Sequence, residues 1–284
     1  MFAGPHVSGA IRNQFNQVTN TVDSGTDGDN FISAEEKAYR EAMKTVASKE
    51  AKDWTLDEQK AAATDIAKNG TSSVVYTKAK AAMDAGTKWS VKLTNGVTMT
   101  YYIIGINHDD LADGSGKAGL TFWTTTNVFG SKGTQFNPSE SSAGGWEKSE
   151  LRMRMNNGDI WNLMPDDFKS AIKEVEKETD NTGGGVDGVP SVTKDRLFCL
   201  SGYEAQMPKC PYEYHEGNTY ELFKSKFFEE NPSLNQHYRG QCWSRSLKHK
   251  DNRGFVYVLA IGEFNGCSAR YANDREVVCP AFCF

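Results

Sequence analysis

Apolar positions recur at helical spacing through the first third of the chain and alternate with polar ones beyond it. Ala38, Tyr39, Ala42, Met43 and Val46 fall on a 3.6-residue period, which predicts a helix from Ala34 to about Ser48. Thr55-Leu56-Asp57-Glu58 reads as a capping box, in which hydroxyl and carboxylate satisfy the free N–H groups of a helix start. That helix closes at Asn69-Gly70, a pair that accepts the left-handed conformation of a C-cap. Thr71 or Ser72 opens a third helix, which stops at Gly86. All three are rich in Ala and poor in large apolar side chains, so each needs a neighbour: the following domain or another copy of the chain.

The period changes at Trp89. Val91, Leu93, Val97, Met99, Tyr101 and Ile103 alternate around Asn95-Gly96, which predicts a hairpin with a two-residue turn. Leu120 to Thr124 reads as another strand. His108-Asp109-Asp110 lies at a strand end. A polar turn is its simpler reading, with a metal or acid–base cluster as the alternative. Residues 130 to 145 are a Gly- and Ser-rich surface loop. A helix follows to about Asn157-Gly158, and Pro165 opens an amphipathic helix over Asp166 to Val175. Thr179 to Pro190 reads as a flexible turn and Phe198 to Ser201 as a short strand. Residues 203 to 240 are aromatic and polar without a period, a long irregular insertion of the kind that carries function.

Composition narrows the classes. The chain has 284 residues, 38% of them hydrophobic and 11% aromatic, enough for a sizeable core. The change at Trp89 divides it into an N-terminal helical or attachment segment, residues 1–87, and a larger domain, residues 88–284. The net charge of -5, with both signs interspersed, argues against a nucleic-acid partner. No apolar run approaches the roughly 18 residues of a membrane span, so no membrane insertion is expected. Met1 to Ala10 lacks the basic and apolar regions of a secretory signal. The six cysteines all lie in the last third and include no C-x-x-C pair. On a strand, Cys279 and Cys283 would sit about 13 Å apart at ~3.3 Å per residue, beyond the ~7 Å limit for a disulfide. The thiols are expected to be small buried hydrophobes.

Gly25 to Glu36 resembles a calcium-binding EF-hand loop. Asp27, Asp29, the Phe31 carbonyl and Glu36 would supply oxygen ligands. Gly25 stands where the first acidic ligand belongs, and Asn30 stands where the turn glycine does. The competing reading is a second capping box, with Ser33 as N-cap and Glu36 three residues on. No other cofactor is required.

Five blocks carry a resemblance. They are Ile104 to Leu111 with Lys117 to Phe122; Gly144-Gly145-Trp146 through Leu151-Arg152, Asn156 and Ile160-Trp161; Asp195 to Phe198; Trp243-Ser244-Arg245-Ser246; and Pro280 to Phe284. Over about residues 88–284 they resemble DUF6273, a bacterial and phage domain family of unassigned activity. That family is similar to the C-type-lectin fold of the formylglycine-generating-enzyme kind. The variable proteins of diversity-generating retroelements share that fold. The resemblance implies an α+β, C-type-lectin-like domain with a ligand surface near its C-terminus. Trp243, Arg245, Phe255, Val256, Val258, Val277, Val278, Ala281 and Phe282 would be framework, with Arg245 paired to a buried carboxylate or backbone carbonyls. The display set would be His237, Tyr238, Arg239, Lys248, His249, Lys250, Asn252, Arg253 and Tyr257, then Glu263, Phe264, Asn265, Ser268, Arg270, Tyr271, Asn273, Asp274 and Arg275. Tyr, Asn, Ser and Arg suit such a surface because they combine wide contact area with adaptable hydrogen bonding. The chain departs from the family at Cys242, where an aromatic is usual, and at Glu276, where Gly is.

The expectation is a receptor-binding or adhesion protein on a phage tail or other prophage particle, or at a cell surface, possessing no classical signal peptide. Its partner would be a host-surface protein or glycan, and self-association into a homo-oligomer stays open. The alternatives are a structural particle component and an enzyme of the formylglycine-generating type. The enzyme ranks last because no G-x-S-x-G, H-E-x-x-H or P-loop motif occurs.

Overall fold

The computed structural model describes residues 34–124, 126–183, 188–205, 216–224, 242–248, 250–258 and 269–284. Helices and antiparallel sheets make it an α+β structure. Three helices come first: α1 (Ala34–Ser48), α2 (Leu56–Asn69) and α3 (Tyr76–Asp84). The capping box forms as expected, with Thr55 accepting from the Glu58 N–H and Glu58 from the Thr55 N–H. Gly70 and Gly86 take positive φ at the helix ends.

The main sheet has the order β1-β2-β3-β9, all antiparallel: β1 (Trp89–Lys92), β2 (Thr98–Ile106), β3 (Leu120–Thr124) and β9 (Ala281–Cys283). The β1–β2 hairpin is where the alternation put it, but its turn is longer than two residues. Leu93 N–H bonds Val97 O, and Gly96 N–H bonds Leu93 O, which leaves Thr94-Asn95-Gly96 as the loop. Gly96 at φ 87 supplies the left-handed residue that a three-residue loop needs.

Both faces of the sheet are covered. Tyr101, Phe122 and Phe282 share one face and meet Trp89 and Phe168 edge-on or stacked. The N-terminal helices close onto the same sheet. Tyr101 OH donates to Gln59 at 3.1 Å, Trp89 Nε1 to Ala51 O at 3.1 Å, and Asn107 Nδ2 to Ile66 O at 3.0 Å. Gly119 lies so close to α2 that a Cβ there would run into the Ala63 carbonyl. These Ala-rich helices therefore bury against the sheet, and their side chains belong to the same core as the C-terminal strand. Tyr102 and Trp123 point to the opposite face, where Phe223 of α7 (Glu221–Lys224) meets Trp123.

Between β3 and β9 the chain forms α4 (Glu150–Asn157), α5 (Asp159–Leu163), α6 (Asp166–Lys169) and two smaller sheets. The helix expected over Asp166 to Val175 ends at Lys169. Phe168 is drawn into the aromatic core, Lys173 N–H bonds Cys283 O at 2.8 Å, and Val175 starts β4. Pairing with the sheet overrides helix propensity there. The expected turn over Thr179 to Pro190 is replaced in part by a hairpin of β4 (Val175–Asp180) and β5 (Pro190–Asp195), with Asp180 opposite Pro190. Its inward positions include Lys177, Thr179, Thr193 and Asp195, so polar burial conceals it from any hydrophobic pattern. Phe198 pairs with Ala281 as an isolated bridge and not as a strand. The third sheet is β6 (Cys242–Leu247), β7 (Gly254–Val258) and β8 (Ala269–Tyr271), in that order. Among the described residues, no helix is long and apolar enough to cross a membrane.

Candidate functional site

β6 presents its side chains inward. Trp243 Nε1 donates to Thr134 O at 2.7 Å, and its ring meets Phe136 edge-on. Phe136 in turn stacks on Phe255 of β7 at 3.6 Å. Arg245 is fully buried, at 0% exposure. Its Nε donates to Thr179 Oγ1 at 2.7 Å, Nη1 to Cys199 O at 3.0 Å and Nη2 to Glu178 O at 3.1 Å, while Nη1 also meets the Glu204 carboxylate. Both partners expected for it, a buried carboxylate and backbone carbonyls, are present. Burying this charge is tolerable because every nitrogen of the guanidinium has an acceptor.

Arg245 ends a row of alternating buried charges. Glu204 faces Arg245 on one side and Lys177 Nζ at 2.5 Å on the other. Lys177 reaches Asp109 Oδ1 at 2.6 Å. Asp109 also accepts from Thr121 Oγ1 at 2.6 Å and Tyr220 OH at 3.0 Å. Burial by itself would raise the Asp109 carboxyl, but the Lys177 ammonium overrides it and lowers the pKa to about 2. Burial likewise opposes ionisation of Glu204, and Arg245 and Lys177 outweigh it, so its pKa is lowered. Glu216, buried beside this row, is raised by burial, although Ser246 Oγ and the Asp180 N–H both donate to it. The residues at the β2 end thus separate. Asp109 enters the core, Asp110 pairs outward with Lys117 at 2.8 Å, and His108 lies against the Tyr220 ring with Nε2 3.1 Å from Asn218 O. Burial lowers the His108 pKa. Among the described residues, no group of three or more His, Cys, Asp or Glu could hold a metal ion.

A second knot gathers the other sequence blocks. Asp195, fully buried at the end of β5, accepts from Trp146 Nε1 at 2.9 Å, Arg152 Nε at 2.6 Å and Thr193 Oγ1 at 2.6 Å. Asn156 Oδ1 accepts from the Arg196 N–H at 2.7 Å, and its Nδ2 donates to Leu197 O at 3.0 Å. Trp146, Arg152, Asn156 and Asp195, apart in sequence, are therefore one hydrogen-bonded unit. The model of the family described as "Domain of unknown function (DUF6273)" matches residues 118–284. The chain belongs to the DUF6273 family. No curated protein and no solved structure matches it. In this DUF6273 chain Trp146, Arg152, Asn156, Asp195, Trp243 and Arg245 build the scaffold.

Those turns hold the described part of the display set. Lys248, Lys250, Asn252 and Arg253 belong to the β6–β7 connection, and all four are exposed. Arg270 and Tyr271 belong to β8, followed by Asn273, Asp274 and Arg275. The two groups are brought together: Gly254 pairs with Tyr271, and the Ala272 N–H bonds Arg253 O at 2.8 Å. Arg253 lies over the Tyr271 ring at 4.4 Å, and Tyr271 is 39% exposed. Lys248 pairs with Asp251 and Arg270 with Glu276, at 2.7 and 2.9 Å. Arg275 Nη1 donates to the Gly133 carbonyl at 3.4 Å. Tyr257 is a correction: at 4% exposure it is core, because it sits opposite Trp243 on the central strand β7, where Phe255 and Val256 are buried as well. His237, Tyr238, Arg239, His249, Glu263, Phe264, Asn265 and Ser268 lie outside the described residues. So do Asp27, Asp29 and Phe31 of the EF-hand-like loop. Glu36 is described, on α1, and its carboxylate accepts from Arg40 at 2.9 Å and Lys68 at 3.4 Å, which lowers its pKa.

Sequence reasoning missed Lys177, Glu204 and Glu216, and named Asp195 only as the head of a family block. A charge inside Glu176-Lys177-Glu178 reads as solvent-exposed strand or loop, and only its distant partners show that it is buried.

Proposed function

We propose that this DUF6273 chain is a ligand-binding protein of the receptor-binding or adhesion type, built on a C-type-lectin-like scaffold. One observation carries the reading: two turns from separate parts of the last third meet at Arg253 and Tyr271 and leave Lys250, Asn252, Arg253, Tyr271 and Arg275 exposed. The strands that hold them are anchored by Trp243, Phe255 and Arg245, so the face is pre-organised. A rigid base beneath aromatic and guanidinium side chains lowers the entropy cost of binding. The ligand is a host-surface protein or glycan, and the chain works on a phage or prophage tail or at a cell surface. The display positions are those a diversity-generating retroelement would vary. Calcium at Asp27, Asp29, Phe31 and Glu36 remains part of the proposal for the N-terminal segment.

The test is binding of labelled protein to bacterial cells and to immobilised bacterial glycans. Arg253→Ala with Tyr271→Ala should lower or redirect binding while the unfolding midpoint holds, since exposed substitutions stay within about 0.5 kcal/mol. Tyr257→Ala should lower the midpoint instead. Unchanged binding in the Arg253/Tyr271 double variant would sink the face. Sequences from sister isolates that differ no more at display positions than elsewhere would remove diversification and leave binding standing.

A further inference from the structure

We propose that Cys242 and Cys279 form a disulfide that closes the segment carrying the binding face into a covalent ring. Their Sγ atoms lie 3.1 Å apart, closer than two sulfurs rest in ordinary packing, and both residues are 3% exposed. The backbone holds them in place. Cys242 pairs with Val277 in a parallel bridge, the Trp243 N–H bonds Val277 O at 3.0 Å, and Trp123 Nε1 donates to Cys279 O at 3.0 Å. Of the other described cysteines, Cys199 lies near the pair and contacts Met155 Sδ at 3.9 Å, and Cys283 contacts Thr121 and Asp109. Spacing along the chain could not show this pair, because 37 positions separate its members. Hydrogen bonding with Cys242 and burial both raise the Cys279 pKa, so this thiol is suited to a structural link and not to nucleophilic chemistry.

Lys248, Lys250, Asn252, Arg253, Tyr271 and Arg275 all fall between the two cysteines. A bond at the base of that segment removes conformations from the unfolded chain and ties β6 to the approach of β9. The bond rests on the sulfur geometry alone, whereas its service to the face rests on the reading above.

Formation balances by exchange with a small-molecule disulfide. One cysteine loses its proton and attacks the reagent, releasing one thiol and leaving a mixed disulfide. The second cysteine loses its proton and attacks the protein sulfur of that bond, releasing a second thiol. The protein gives up two S–H hydrogens, and the reagent is reduced to two thiols. Because both sulfurs are buried, exchange runs as the chain folds.

The experiment uses the full chain, refolded in a series of glutathione and glutathione disulfide mixtures, unfolded, alkylated and digested for mass spectrometry. We expect a linked Cys242–Cys279 peptide that vanishes on reduction, with Cys199 and Cys283 alkylated. The unfolding midpoint of the oxidised chain should fall on reduction, and that of Cys279→Ala should not respond. Should Cys279→Ala fail to fold, peptide mapping of the unaltered chain still decides. Alkylation of both cysteines across the whole series, or linkage of either to a third cysteine, overturns the bond. A linked peptide without a midpoint shift overturns its clamping role. None of these readouts needs a ligand, so failure here is separable from failure of the binding reading.

Discussion

Replacing Arg245 with Met keeps most of the side-chain volume and removes the guanidinium. Four direct bonds disappear, to Thr179 Oγ1, Cys199 O, Glu178 O and Glu216 O, together with the pairing to Glu204. Glu204 keeps Lys177 at 2.5 Å and the Ser201 N–H at 3.0 Å, so its charge is only partly stranded. Removing one side of a buried ion pair costs about 3–5 kcal/mol. Each acceptor left buried and unpaired costs about 1–3 kcal/mol more. These costs overlap, because relaxation that serves one group serves its neighbours, and we expect a net loss of about 4 kcal/mol. Against a total stability of about 5–15 kcal/mol this is severe without being lethal to every fold. Equilibrium denaturation in urea, compared at constant slope, measures it. Adding Glu204→Gln should recover part of the loss, since the stranded charge goes with it, and the double variant should miss additivity by about 1–3 kcal/mol. Arg245→Lys should not rescue, because an ammonium cannot span acceptors arranged around a planar fork. A loss under about 1 kcal/mol, or strict additivity with Glu204→Gln, would refute the charged row as the support of this sheet.

Three further outcomes follow from the same packing. The Asp109 carboxyl, with its pKa lowered to about 2 from the ordinary ~4, contributes about 2 kcal/mol, fully present above pH ~4 and lost as pH falls through its folded value. Acid titration of the unfolding free energy should show this slope, and Asp109→Asn should flatten it. Gly119→Ala should cost about 1–3 kcal/mol in thermal or urea unfolding, because the new methyl meets the Ala63 backbone of α2 and the helix must shift. Trp243→Ala should cost about 3–5 kcal/mol by the same measurement, as a buried ring and its bond to Thr134 are removed together.

Local chemistry was readable wherever neighbours in sequence are neighbours in space. The Thr55–Glu58 box and the Gly70 cap formed because both partners sit within one helical turn. The β1–β2 alternation survived, but its loop gained a residue, since Gly96 is stable in the left-handed conformation that closes the longer turn. The Asp166–Val175 pattern misled because Phe168 faces an aromatic cluster supplied by β2, β3 and β9. Tyr257 was placed on the surface for its residue type, whereas its position opposite Trp243 on the central strand β7 puts it inside.

The sequence by itself determined the Thr55 and Gly70 caps, the hairpin and β3 of the main sheet, the family blocks and the framework role of Trp243 and Arg245, whereas the third helix opens at Tyr76 and not at Thr71 or Ser72. The caps, hairpin and strands follow from residue spacing, and the blocks and framework residues follow from the family resemblance. Tertiary structure alone decided that Lys177, Glu204 and Asp109 form a buried row, that Asp195 collects Trp146 and Arg152, and that Cys242 meets Cys279. Charge pairing and sulfur contact act over a few ångströms of space with no period along the chain. They become visible only when the fold brings distant residues together.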